Sequence, residues 1–337
     1  MRQMNHDARR RALIAAGLGA AILPRFAQAQ SDAEAGWPGK GPIRVIVPVA
    51  PGGVHDLVIR ALQPKLQQEL GQSIVVQNRP GGDWVVGTLA GKQAAPDGYT
   101  WVMASIPTTA NAVLKKVPYD PVADFAAVAN IGSTAGVMVV PRDLGPKSLA
   151  DFIQLARSKP GELAFANAAA GSLGHLNAAL LEATAGLQFN TITYPGGQSS
   201  LLTDLLSGRV QFAVISPIVA LSHMQAGKLT PLAIAAPKRS PLLPDVPTTV
   251  ELGHPRLTVQ AWSGMLMPAG TPAGIVRKAN AALHAAAADP EVARNLQQQA
   301  ITLHPPSTPE AFAAFIRAEM AEWPKLFELA RIKRETA

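Results

Sequence analysis

The chain has 337 residues, 48% of them hydrophobic, no cysteine, and a formal net charge of +7. The lack of cysteine excludes disulfides, thiolate metal sites and a lipid-anchor cysteine. Five arginines and one aspartate lie in residues 1–29, so the remainder carries only a scattered +3, which excludes the basic stripe of a nucleic-acid binder.

Arg9-Arg10-Arg11 precede an apolar run over 12–23 that is too short to span a bilayer, and Ala27-Gln28-Ala29 places small residues where a signal peptidase cuts. Residues 1–29 are therefore predicted to be a secretory signal cleaved after Ala29. The arginines resemble a twin-arginine signal, although the usual hydroxyl residue before the pair and Phe after it are missing. A basic amphipathic surface helix is excluded because 12–23 has no polar face. No later apolar stretch reaches about 18 residues, so the expected product is a soluble periplasmic protein and a monomer.

The remaining length, about 308 residues, suggests two domains. Hydrophobic runs bounded by Gly, Pro or Asn predict strands over 43–49, 73–77 and 100–104, with helices over 56–70 and 84–94 between them. A second series follows, with strands over 137–140, 163–167, 190–194, 212–215 and 230–235. Its helices fall near 175–185, 199–207 and 217–226, and Ser148-Leu149-Ala150-Asp151 forms a capping box at the start of another. After a proline-rich passage over 237–255 come a strand over 262–267 and helices over 271–288, 291–299 and 308–330. The last of these starts on a Thr308 cap with Pro309 at the first helical position. This alternation predicts an α/β fold with largely parallel sheets.

Three strand-to-helix turns are glycine-rich. Pro51-Gly52-Gly53-Val54-His55-Asp56 is the first, Ala170-Gly171-Ser172 leading to His175 the second, and Tyr194-Pro195-Gly196-Gly197 the third. Such turns let backbone approach a ligand closely and aim unpaired N–H groups and the positive end of a helix dipole at it. No Gly-Lys-Ser/Thr ending and no full Gly-x-Gly-x-x-Gly accompanies them, so a carboxylate fits better than a nucleotide. If two such sheets oppose each other, the turns share one crevice.

The order and spacing of further landmarks carry a resemblance. They run through Pro48-Val49-Ala50-Pro51-Gly52-Gly53, Asn78-Arg79-Pro80-Gly81, Ala95-Pro96-Asp97-Gly98-Tyr99-Thr100 and Pro118-Tyr119-Asp120-Pro121. Then come Ala226-Gly227-Lys228-Leu229, Leu243-Pro244-Asp245-Val246-Pro247-Thr248, Pro268-Ala269-Gly270-Thr271-Pro272, Asp289-Pro290-Glu291-Val292, Thr308-Pro309-Glu310, Phe315-Ile316-Arg317 and Trp323. Over nearly the whole chain after residue 29 it resembles the periplasmic solute-binding receptors of the tripartite tricarboxylate transporter family, the Bordetella-type uptake receptors.

That resemblance implies a type II periplasmic binding protein: two α/β domains, 40–136 plus 260–337 and 137–259, joined by a hinge of crossing strands and closing on an interdomain ligand cleft. It implies no enzyme activity, no cofactor and no metal, a small carboxylate ligand, and the membrane subunits of a tripartite transporter as partners. Closure over a ligand that touches both domains would let those subunits tell loaded receptor from empty. The implied ligand set comprises Pro51, Gly52, Gly53, Val54, His55, Asp56, Trp84, Ser105, Ala170, Gly171, Ser172, His175, Tyr194, Gly196, Gly197 and Ser216.

Within that set Asp56 is expected to cap its helix, and His55 either donates to a carboxylate or bonds nearby backbone. His175 either serves its turn or meets ligand. The chain departs from the family pattern at Val54 and His55, and at Asp83 and Trp84, where relatives carry small or glycine-like residues. Trp84 at the cleft rim with His55 would favour a flat or aromatic carboxylate, whereas Trp84 packed under the next helix would not. Two other readings stay open: a ligand sensor for a signalling membrane protein, which uses the same fold, and an enzyme, for which no Gly-x-Ser-x-Gly elbow or paired histidine motif is present.

Overall fold

The computed structural model describes residues 36–194 and 197–332. The predicted signal, the twin-arginine pair and Gly196 lie outside the described residues.

The chain opens with β1 (Ile43–Val47), α1 (Val54–Leu70), β2 (Ile74–Asn78), α2 (Val85–Lys92), β3 (Thr100–Ala104), α3 (Ile106–Leu114) and β4 (Phe125–Thr134). It continues through β5 (Val137–Pro141), α4 (Leu149–Ser158), β6 (Ala164–Asn167), α5 (Leu173–Ala185), β7 (Asn190–Thr193), α6 (Gln198–Leu206), β8 (Phe212–Ile215), α7 (Pro217–Gln225) and β9 (Leu229–Ile234). Last come β10 (Ala261–Pro268), α8 (Ala273–Ala288), α9 (Pro290–Gln298), β11 (Thr302–Leu303) and α10 (Pro309–Leu329).

Two sheets result, in the orders β11-β4-β10-β3-β1-β2 and β7-β6-β8-β5-β9. Both are mixed, which corrects the expectation of largely parallel sheets. In the first, β1 pairs in parallel with β2 and β3, but β10 runs antiparallel to β3 and β4. In the second, β6 pairs in parallel with β7 and β8, but β5 runs antiparallel to β8 and β9. The reversals follow from strands that enter a sheet by crossing from the other one, not through a right-handed strand-helix-strand unit. Where the chain crosses twice, Ala235 N donates to Gly136 O at 2.8 Å, so the crossing segments are tied together.

Local chemistry accounts for most boundaries. Ser148 Oγ accepts from Asp151 N at the start of α4, and Thr308 Oγ1 accepts from Ala311 N at the start of α10. Gly71 and Gly186 end α1 and α5 at φ +63° and +67°, the left-handed cap that a side chain resists. The six-stranded sheet covers one apolar cluster built on α1, α8 and α9, with Trp101, Leu62 and Ile59 fully buried. A second cluster runs from Phe312, Trp323 and Phe327 on α10, through Trp262 and α3, to Phe152, Phe165 and Phe212 under the other sheet. The two sheets therefore share apolar packing.

Candidate functional site

The first glycine turn is held by one buried carboxylate. α1 begins at Val54, with Gly53 as the residue before it, two positions earlier than the sequence predicts. Asp56 thus lies inside the first turn and caps nothing; this corrects its expected role. Its Oδ2 instead accepts from Gly52 N at 2.8 Å and from Arg60 Nε at 2.9 Å, and its Oδ1 accepts from Asn78 Nδ2 at 2.9 Å. Asn78 Nδ2 also donates to Val49 O at 3.0 Å, which closes the brace across the turn. Burial pushes the Asp56 carboxyl up, but hydrogen bonds from Arg60, Gly52 and Asn78 outweigh it and hold the group below the usual carboxylate range.

That brace decides which donors remain. Gly52 N is spent on Asp56, and Gly53 N on Ala50 O at 3.2 Å. The N–H groups of Val54, His55 and Asp56 have no acceptor within their own helix, by the geometry of any α-helix start. Gly52 sits at φ +80°, where only glycine is unstrained, and Pro51 and Gly52 are exposed. Gly53 has an ordinary φ, but an added Cβ would lie 3.1 Å from Val49 Cγ2 and 3.3 Å from Ala50 O.

His55 does not serve as a carboxylate donor through its ring. The side chain is 7% exposed, and Nε2 lies 3.2 Å from Trp262 O, which requires that nitrogen to carry the proton and donate. Burial lowers its pKa to about 4 despite that bond, so the ring is neutral. Trp84 packs edge-to-face on His55 with ring centroids 4.7 Å apart and is only 8% exposed. The two rings are spent on each other, which argues against the predicted rim position that would stack a flat ligand.

The turn bearing Trp84 is left-handed over four residues: Gly81, Gly82, Asp83 and Trp84 have φ of +130°, +56°, +51° and +82°. A bulky residue at such a φ costs about 1–3 kcal/mol and persists only where neighbours impose it. Here the Asp83 carboxylate pairs with Lys115 Nζ, and Asp83 O accepts from Asn111 Nδ2 at 2.6 Å.

Asn111 also meets the second sheet. A Cβ on Gly171, which sits at φ +68°, would lie 3.2 Å from Asn111 Oδ1. Ser172 caps α5, accepting from His175 N at 3.3 Å, and His175 Nδ1 accepts from Gly171 N at 3.0 Å. α5 therefore begins at Leu173, ahead of His175, and that histidine serves the turn. Burial lowers its pKa, with Asp83 pulling it back up and Lys115 adding to the drop. Ala170 and His175 line a groove of about 390 Å³ with Leu114, Lys115, Glu182 and Arg331, walled by the end of α3, by α5 and by the residues that follow α10.

The third turn lies beside the second, because Tyr194 N donates to Asn167 O at 2.8 Å. Tyr194 OH donates to Asp204 Oδ2 at 2.7 Å, so its hydroxyl is already engaged, and Gly197 precedes α6 at φ +80°. Ser105 and Ser216 begin α3 and α7, and both are buried. Ser216 N donates to Gln198 Oε1 at 3.0 Å, while Ser105 Oγ and Ser216 Oγ are buried without a hydrogen-bond partner among the described residues.

Three of the turns thus form one chain of contacts: His55 on Trp84, Asp83 on Asn111, and Asn111 on Gly171. Asn111 was missed because the α3 segment Ile106–Leu114 carries Pro107, Thr108 and Thr109, poor interior helix formers, and reads as loop. Buried oxygens of Asn111, Asn130, Asn167 and Ser263 are also without a partner among the described residues. Asn130 lies on β4, whose Ala-rich sequence offered no strand signal, and Ser263 lies on β10, inside the strand predicted over 262–267 but among apolar residues that do not mark it as a site.

Comparison with known proteins gives this geometry a context. The model of the family described as "Tripartite tricarboxylate transporter family receptor" matches residues 58–331. Protein BugT of Bordetella pertussis is 35% identical over 300 residues, 88% of this chain and 89% of that protein. A solved structure of an R. palustris protein with adipate is similar at TM-score 0.82 and 29% identity, covering 88% of this chain and 99% of the other. MatC from Rhodopseudomonas palustris with bound malate is similar at TM-score 0.79 and 29% identity, covering 86% and 99%. The chain accordingly belongs to the tripartite tricarboxylate transporter receptor family, as a Bug-type solute-binding protein with a periplasmic-binding-protein fold.

Proposed function

We propose that the protein is a periplasmic receptor that binds a small carboxylate between two α/β domains, 40–136 plus 260–337 and 137–259, and delivers it to the membrane subunits of a tripartite tricarboxylate-type transporter. The observation that carries this reading is the first turn. Asp56 ties down Gly52 and leaves the amides of Val54, His55 and Asp56 aimed together from a helix start. Three hydrogen bonds to a carboxylate, at about 1.5–3 kcal/mol each, supply a large part of the roughly 8 kcal/mol of micromolar binding, the rest coming from contacts with the opposite domain. Relatives solved with malate and adipate support a carboxylate as the ligand class.

Binding without turnover is supported by the fate of the two histidines in these turns. His175 Nδ1 is occupied by Gly171 N, and His55, whose Nε2–H donates to Trp262 O, keeps its Nδ1 lone pair on a buried ring with a lowered pKa, a weak base with little access to a substrate. No helix among the described residues is long and apolar enough to cross a membrane, in keeping with a receptor that works in solution.

Calorimetric titration of the purified protein with malate, adipate and benzoate tests the reading. At least one acid is expected to bind with micromolar affinity, and Gly52→Val to weaken it at least tenfold, because a β-branched residue at φ +80° displaces the amides. Unchanged affinity in Gly52→Val would move the site elsewhere.

A further inference from the structure

We propose that ligand binding at the first turn is coupled to a proton on Glu319, so that the carboxylate ligand is held more tightly when Glu319 is neutral than when it is charged. This rests on the receptor reading above and adds a regulation of the same site.

A line of hydrogen bonds leads from the turn to this carboxyl. His55, whose backbone amide belongs to the start of α1, donates from Nε2 to Trp262 O at 3.2 Å, and the Trp262 indole donates from Nε1 to Glu319 Oε1 at 2.8 Å. On the far side, Thr109 Oγ1 donates to Glu319 Oε2 at 2.6 Å and accepts from Trp323 Nε1 at 3.0 Å. The surroundings suit either form of the carboxyl. Charged, it accepts from Trp262 and Thr109; neutral, its Oε2 hydroxyl donates to Thr109 Oγ1, whose own proton turns to Ile106 O at 3.0 Å.

Neighbouring elements supply no counter-ion. α10 packs on β4, α3, α5 and α8, and β4, α3 and the adjoining β10 contain no titratable residue. On α5, His175 accepts from Gly171 N and Glu182 from Phe189 N. On α8, Arg277 is exposed, Lys278 donates to Trp37 O, and His284 Nε2 lies 3.0 Å from Ser307 O. On α10 itself, Glu310, Arg317, Glu322, Lys325 and Glu328 are all exposed. Burial, only partly offset by the two hydrogen bonds from neutral donors, pushes the Glu319 carboxyl up to about 7, so its charge changes near neutral pH.

A carboxylate bound at the α1 start would face that second negative charge across buried side chains, Trp262 at 3% and His55 at 7% exposure, with a neutral imidazole between them. Repulsion through such a medium is little screened, so the ligand favours neutral Glu319 and, by reciprocity, neutral Glu319 favours the ligand. Binding then takes up protons and weakens as the pH rises through about 7.

The test is calorimetry with malate, adipate and benzoate at pH 6.5, 7.5 and 8.5, where all three acids are ionised, in two buffers of different ionisation heat. The proteins are the wild type, Glu319→Gln and Thr109→Val; melting curves verify that each is folded, and Thr109→Val serves if Glu319→Gln is not. In the wild type, affinity should fall at least threefold from pH 6.5 to 8.5, with net proton uptake at pH 7.5. Glu319→Gln should bind within about 1.5-fold at all three pH values and take up no protons. Thr109→Val removes a donor to the charged form and should move the midpoint of the pH dependence upward. A wild-type affinity independent of pH, the wild-type pH dependence in Glu319→Gln, or an unmoved midpoint in Thr109→Val overturns the proposal while leaving the receptor reading in place. Absence of binding by every acid in every protein overturns both.

Discussion

Replacing Glu319 by glutamine should stabilise the protein at pH 8 by about 3 kcal/mol and leave its stability at pH 4.5 nearly unchanged. Glu319 projects from α10 into the shared core, where Oε1 accepts from Trp262 Nε1 at 2.8 Å and Oε2 accepts from Thr109 Oγ1 at 2.6 Å. Both partners are neutral. Burial dominates and pushes the carboxyl up from 4.5 to about 7, the two hydrogen bonds offsetting part of the rise. A carboxyl raised in this way favours the fold when protonated. Its contribution is fully present below pH 4.5 and is lost as the pH climbs through 7, at about 1.4 kcal/mol for each pH unit of displacement.

Glutamine keeps an oxygen for Trp262 and offers an N–H to Thr109, whose own proton can turn to Ile106 O at 3.0 Å. His55 works in the opposite sense. With a pKa lowered to about 4, it contributes stability that is present above pH 6.5 and lost as the pH falls through 4. His175, His284 and His304 are lowered as well and act in the same direction. In the wild type these terms partly cancel between pH 4.5 and 6.5, so Glu319→Gln should also steepen the acid loss. Urea midpoints at pH 4.5, 6 and 8 check both statements, and an equal gain at every pH would refute them.

Asp56→Ala should cost about 3 kcal/mol and reduce carboxylate affinity at least a hundredfold. The side chain is 2% exposed and accepts three hydrogen bonds, and charged groups make such bonds worth about 1.5–3 kcal/mol each; the half-exposed Arg60 brings the total down. Without the carboxylate, Gly52 N is freed from its anchor, Asn78 loses a partner, and the first turn of α1 no longer presents its amides in one direction. Arg60→Ala, by contrast, should cost less than about 1 kcal/mol and leave affinity within threefold, because Gly52 and Asn78 still hold the carboxylate. Urea unfolding and malate titration of the two variants separate these roles. Equal losses in both would mean that the ion pair, not the hold on Gly52, shapes the turn.

The parts of this fold that were legible in the sequence are those set by local chemistry. The strands at 100–104 and 212–215 and the caps at Ser148 and Thr308 were predictable because short continuous hydrophobic runs, serine or threonine caps and glycine stops act within a few residues. β4 was not predictable. Its sequence, Phe125-Ala-Ala-Val-Ala-Asn-Ile-Gly-Ser-Thr134, lacks the β-branched alternation of a strand because it lies between β10 and β11 with α8 and α10 packed against it. A Cβ on Gly132 would meet Thr302 O at 2.5 Å, so β11 can approach only a glycine there. The mixed sheet directions escaped for the same reason: they depend on pairings between residues far apart in sequence, such as Gly264 with Ala104 in the first sheet and Val137 with Ile215 and Ile234 in the second. At the site, the glycine turns were legible, but the occupancy of each donor was not. Whether Asp56 caps, braces or binds depends on where Gly52 and Asn78 come to rest.

One consequence of the strand orders concerns the route by which the chain becomes native. The five-stranded sheet is assembled wholly from residues 137–234, a contiguous stretch that can collapse as soon as it is free to do so. The six-stranded sheet needs β10 from residues 261–268 to join β3 to β4, so its early strands must wait, unpaired on that side, for late ones. Maturation should then proceed from the middle outward. The glycine corner at 51–56 would be among the last regions to gain protection from hydrogen exchange, in a refolding order set by topology.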